Sequence, residues 1–95
     1  MIRIQIVNNP GGATIAIDGQ LAGEYVSEVE ASIRNAIGQH KKEVHLFLRD
    51  VSHIDEMGRG LLSRLAAQGV ELSAAGLYSS YVVTQTLSSR QSRGK

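Results

Sequence analysis

Ninety-five residues make one small domain, and 42% hydrophobic residues suffice for a core but leave little apolar area for a deep cavity. Ten basic and nine acidic residues give a net charge of +1, with no basic block before the tail. The four aromatic residues are too few to stack bases among cations, so no nucleic-acid partner is expected.

The chain contains no cysteine, which excludes disulfides, thiolate chemistry and cysteine-held zinc and fits a reducing cytoplasm. MIRIQIV alternates apolar and polar residues from the start, unlike a signal peptide with its basic start and continuous apolar stretch. No apolar run approaches the roughly 20 residues that span a bilayer, so no membrane span and a cytoplasmic location are expected.

Ile2, Ile4 and Ile6 alternate with Arg3 and Gln5, which predicts a half-buried strand. NNPGG at 8–12 is the strongest turn signal, and Ile15 and Ile17 resume the alternation. Residues 2–7 and 13–18 are therefore expected to form a hairpin. Val26, Val29, Ile33, Ala36 and Ile37 then recur at helical spacing, with Glu24, Glu28 and Glu30 in the early turns. Gly38 is expected to close that helix and QHKK to form the loop after it.

VHLFLRDV at 44–51 is almost continuously apolar and reads as a strand covered on both faces. Met57, Leu61, Leu62, Leu65 and Ala66 define a second helix that Gly69 stops. VELSAAGL at 70–77 reads as a further strand, and Tyr81, Val82 and Leu87 predict a last helix at about 79–88. The succession implies an α/β fold: a mixed four-stranded sheet, built from an N-terminal hairpin and two right-handed β-α-β crossovers, with about three helices. Residues 1–88 are expected to be one domain and 89–95 a flexible polar tail.

HIDEMGRGLL at 53–62 stands where a buried strand hands over to a helix N-terminus, the place where open α/β sheets put ligand and partner sites. Asp55 reads either as a plain helix cap or as part of such a site, and Glu56 suits the first turn. His53 with Asp55, completed by His45 or Asp50, lacks any recognised metal spacing, so no metal or other cofactor is expected. Neighbouring Asp55 and Glu56 do not face each other on a helix, and nucleophile elbows, phosphate loops and zinc-protease signatures are absent. A phospho-aspartate receiver is excluded because the first strand ends in VNN and no lysine lies between Lys42 and Lys95. No enzyme is expected. Gly58 lies on the face of Leu61 and Leu62 and suits close packing against the sheet. Gly60 lies toward Arg64, serving either the helix itself or a partner's close approach.

VHLFLRDVSHIDEMGRGLL resembles the central segment of STAS domains, the fold of bacterial anti-sigma-factor antagonists. Leu48, Val51, Ser52, Ile54, Asp55, Gly58, Gly60 and Leu62 stand in register with the family pattern. IAIDGQLAGEYVSEVEASI and GVELSAAGLYSSYVVTQTL resemble its flanks, so the likeness covers about residues 13–88. The resemblance implies a signalling module that binds proteins: an anti-sigma factor, a serine-kinase-like protein, or a subunit of a signalling or transport assembly. It also admits a small-ligand or nucleotide sensor.

The position that a kinase phosphorylates in such antagonists is Met57 here, the serine before it is Glu56, and the strand aspartate falls at Phe47. These departures imply that the phospho-switch is lost. Met57, on the apolar face with Leu61 and Leu65, is expected to be partly buried. The expected partner surface comprises Ser52, His53, Asp55, Glu56, Arg59, Gly60, Ser63 and Arg64, with Glu56 and Arg59 projecting outward. Family members usually continue into a further strand and helix, so a shortened edge here leaves room for a homodimer.

Overall fold

The NNPGG segment turns the chain in two residues. In the computed structural model, which describes residues 2–40 and 43–93, Asn9 pairs with Gly12 across Pro10 and Gly11. The turn joins β1 (Ile2–Asn9) to β2 (Gly12–Leu21). A Cβ on Gly12 would lie inside the Glu43 carbonyl, so the sheet itself demands glycine there. The elements that follow are α1 (Glu24–His40), β3 (Glu43–Ile54), α2 (Glu56–Ala67), β4 (Glu71–Ala74) and α3 (Leu77–Arg93).

The strands form one sheet in chain order, with β1 antiparallel to β2 and the other neighbours parallel. This is the α/β mixed sheet that the hairpin and two crossovers predict, and β3 lies inside it. Right-handed crossovers that advance steadily across a sheet put every helix on the same face. The burial agrees. Ile15 and Ile17 of β2 and Leu46 and Leu48 of β3 pack with Val29 and Ile33 of α1, Leu61 and Leu62 of α2, and Val82 of α3 in one core. His45, Phe47 and Arg49 alternate onto the other face, where Phe47 stands opposite Ala16 and Ser73. β3 is thus covered on one face rather than two; its run looked continuous because Phe47 lies on the uncovered side.

β3 also runs on through Ser52 and His53, past the 44–51 run that marks it in the sequence. Its register against β2 shifts between Ile17 and Asp18 and again between Gly19 and Gln20, leaving Arg49 and Ser52 as extra residues. Each bulge moves the buried position from every second residue to the third, so Leu48, Val51 and Ile54 all remain in the core. The strand continues because its buried period lengthens with it.

Boundaries at glycines depend on φ. Gly69, with φ 94°, ends α2: its N–H bonds Ala66 O at 3.1 Å and Val70 N–H bonds Leu65 O at 3.0 Å. That pair of bonds is the Schellman closure. Gly38 is not among the glycines with positive φ, and α1 runs through it to His40; Lys41 and Lys42 lie outside the described residues. β4 is shorter than the reading of 70–77, because Gly76 at φ 93° turns the chain and Leu77, 93% exposed, starts α3. Past 88, α3 continues to Arg93 with no glycine or proline to break it, and residues 94–95 lie outside the described residues.

Candidate functional site

The carboxyl ends of β2 and β3 sit side by side, with Leu21 paired to Ile54. Asp55 follows with extended backbone, φ −86° and ψ −174°, as an N-cap requires. Its Oδ1 accepts the Gly58 N–H at 2.8 Å, closing the first turn of α2. Oδ2 accepts the Gly23 N–H at 3.0 Å, from the loop entering α1, and the Asp55 N–H donates to Leu21 O at 3.2 Å. One side chain therefore caps α2 and pins the β2–α1 loop against it. The amides of Gly23 and Gly58 hold the Asp55 carboxyl below the ordinary carboxylate range, opposed in part by desolvation and helped by smaller contributions from His53 and the Met57 amide.

Gly58 makes the close approach possible. A Cβ there would meet Leu21 O at 2.3 Å and Ile54 Cγ2 at 2.9 Å, so this glycine is a packing requirement, as its place beside Leu61 and Leu62 predicts. Gly60 has no such duty, since the nearest atom to its Cβ position is Arg64 Nη1 at 3.7 Å.

The remaining residues of the expected surface divide in two. Glu56, Ser63 and Arg64 are exposed on α2, and Ser52 and His53 are exposed on the last residues of β3. The Ser52 hydroxyl donates to Gly19 O at 3.4 Å. Arg59 is half-buried rather than projecting freely: Nη1 donates to Gln85 Oε1 at 3.0 Å, and Gln85 Nε2 donates to the Tyr81 hydroxyl at 3.1 Å. Arg64 reaches the other way, Nη2 donating to Glu30 Oε1 of α1 at 3.5 Å. Met57 corrects the expectation of partial burial. It is 64% exposed, because the buried stripe of α2 is Gly58, Leu61, Leu62, Leu65 and Ala66 and Met57 lies on its flank. Phe47 and Met57 are not neighbours, as Phe47 lies on the helix-free face about seven residues, roughly 20 Å, before the end of β3.

Sequence reasoning missed two supports. Tyr78 closes the end of β3, its hydroxyl accepting from Ile54 N–H at 3.0 Å and donating to Ile54 O at 3.2 Å. Buried Ser79 donates to Val51 O at 3.0 Å. The Tyr-Ser pair opening a helix was the available signal.

Elsewhere, Arg49 at the first bulge donates to both oxygens of Asp18, at 2.9 and 2.5 Å, and to Gln5 Oε1 at 3.2 Å. That hydrogen-bonded ion pair lowers the Asp18 pKa. A groove of about 450 Å³ nearby is lined by Arg3, Asp18, Gly19, Gln20, Asp50 and Ser52. His45 Nε2 and Ser73 Oγ share a 2.6 Å hydrogen bond on the uncovered face, a nucleophile–base spacing. Among the described residues no carboxylate hydrogen-bonds the His45 ring, and the pair stands on strands rather than at a helix N-terminus that would offer an oxyanion site. Among the described residues no three His, Asp or Glu side chains converge on a metal-sized site, and no helix is long and apolar enough to cross a membrane. The chain matches no family model, and a search of curated proteins finds no match.

Proposed function

We propose that this chain is a non-enzymatic, STAS-type protein-interaction module, a regulator resembling anti-sigma-factor antagonists but without their phosphorylatable serine. One observation carries the reading: Asp55 fixes the β2–α1 loop and the start of α2 into a single rigid corner that presents exposed Glu56 and Met57 beside half-buried Gly60. A corner held by backbone hydrogen bonds is already organised for binding, which lowers the entropy lost on docking. An exposed thioether at the former switch position suits a permanent apolar contact. Gly60, which packing does not require, leaves room for a partner's backbone. The partner in this reading is a cytoplasmic protein, either an anti-sigma-like or serine-kinase-like protein or a subunit of a signalling or transport assembly.

Affinity capture from the native cell with the parent and with Gly60→Gln tests the proposal. The parent should retain a discrete partner, and the variant should lose most of it while melting at the same temperature or higher. Equal capture by both, or a variant that melts several degrees lower, overturns the surface assignment. The groove beside Asp18 and Asp50 favours a second reading, a sensor of a small polar ligand, since its size falls within the range of ligand pockets. A metabolite that co-purifies with the parent and is lost with Ser52→Trp would support the sensor instead.

A further inference from the structure

The two edges of the sheet are unlike. β4 is four residues long, one of the standard ways to blunt an edge. β1 is eight residues long and pairs with β2 along its whole length without a register shift. It has no bulge, interior proline or inward-pointing charge, and a single edge charge is its one usual protection. Its one charged residue is Arg3, and Pro10 stands just past its end. Ile6 and Val7 are 45% and 47% exposed, and as strand neighbours they point to opposite faces. An edge that leaves apolar side chains open on both faces at one level is shaped for another strand.

We propose that β1 pairs with β1 of a second copy of this chain, antiparallel, about a two-fold axis at Gln5. The product is one eight-stranded sheet with all helices on the same face. Directly opposed residues in an antiparallel pair share a face, so even positions must oppose even positions if the two cores are to adjoin. The axis at Gln5 meets that condition. Ile4 opposes the partner's Ile6, Arg3 opposes the partner's Val7, and Ile2 opposes the partner's Asn8. Ile6 gains an aliphatic neighbour, and Val7 lies under the stem of the partner's Arg3. The glutamine side chains meet at the axis; each Oε1 already accepts from Arg49 of its own chain and keeps a second lone pair for the partner's amide N–H.

Charge does not oppose the pairing. The two Arg3 residues lie four positions apart along the strands, about 13 Å, which exceeds the screening length of about 8 Å at physiological salt. No like charges are opposed. A seven-residue strand pair is smaller than a standard interface of about 1,600 Å², so the dimer should be of micromolar affinity and concentration-dependent. This inference does not rest on the proposed partner surface, which lies on the helices at the carboxyl end of β3.

Sedimentation of the full chain across low to high micromolar concentrations tests it. The parent should pass from monomer to dimer. Ile6→Lys and Val7→Lys, changed one at a time on opposite faces, should each raise the dissociation constant at least tenfold. Circular dichroism must show that a weakened variant is folded, and the second variant answers if the first fails to fold. Because the chain lacks cysteine, Gln5→Cys supplies a single thiol at the axis, where opposed Cα atoms come within about 4.5–5.5 Å, a disulfide-forming distance. Mild oxidation should crosslink Gln5→Cys at least ten times faster than the exposed α1 control Asn35→Cys. A parent that stays monomeric throughout overturns the proposal, as does a dimer unchanged by both lysines or crosslinked no faster at position 5 than at 35.

Discussion

Replacing Gly58 with alanine would place a methyl 2.3 Å from the Leu21 carbonyl oxygen, 2.9 Å from Ile54 Cγ2 and 3.1 Å from Leu21 Cγ. Real Cβ contacts begin at about 3.0 Å, so the helix and the end of β2 would have to separate by about 0.7 Å. The carbonyl cannot simply swing away, because it accepts the Asp55 N–H at 3.2 Å. Forcing a methyl into a packed site costs about 1–3 kcal/mol, and weakening that hydrogen bond adds up to about 1 kcal/mol. Against this stands the helix propensity of alanine over glycine, about 1 kcal/mol. These terms sum to a loss of about 0–3 kcal/mol, centred at about 1.5 kcal/mol, which at the centre lowers the melting temperature by roughly 6–12 °C for a domain of this size.

The same substitution at Gly60 meets only the end of the flexible Arg64 side chain, at 3.7 Å. Propensity then acts alone, and Gly60→Ala should stabilise by about 0.5–1 kcal/mol. The assay is urea unfolding of parent and both variants by far-UV circular dichroism, comparing midpoints at equal m-values. Opposite signs two residues apart on one helix are the expected result. A Gly58→Ala variant as stable as the parent would refute the close approach of α2 to β2.

Asp55→Ala should melt roughly 4–8 °C below the parent, since it releases the amides of Gly58 and Gly23 together. The folded Asp55 pKa lies below its unfolded value, so its contribution is complete above about pH 4 and is lost as pH falls through the folded pKa. The parent should accordingly lose more stability than Asp55→Ala on acidification below about pH 4, and parallel pH curves would count against the clamp. Incubation with serine kinases and ATP should leave the intact mass unchanged. A stoichiometric phosphate on exposed Ser52 or Ser63 would refute the proposed absence of a phospho-switch.

Signals that are local in the chain were legible. The hairpin, the order of the helices, the Asp55 cap and the stop at Gly69 each depend on residues within a few positions of one another. The two bulges were not, because period-two reading treats a shift to every third residue as the end of a strand. Met57 was misplaced for a related reason. Spacing of four from Leu61 suggested the same face, whereas the position of Gly58 in the buried stripe moves that face round the helix. The bonds from Asp55 to Gly23 and from Tyr78 to Ile54 join residues 32 and 24 positions apart, and no local pattern announces them. They are tertiary consequences of placing the ends of β2 and β3 side by side.

The same geometry separates binding from stability on α2. The helix lies between two others: Arg64 reaches Glu30 on α1, and Arg59 reaches Gln85 on α3. Residues 100° apart per step place Gly58, Leu61, Leu62 and Leu65 against the core, with Arg59 and Arg64 on the flanks. Glu56, Gly60 and Ser63 fall on the crest, facing away from the sheet. A substitution on the crest removes neither core contact nor cap, whereas one at Gly58 or Asp55 disturbs the contact between the start of α2 and the end of β2. A partner docked on the crest would meet glycine at its centre and two arginines already restrained by their neighbours, so less side-chain freedom remains to be lost on binding. For this reason a crest variant such as Gly60→Gln can report on recognition, while changes at Asp55 report on the corner that supports it.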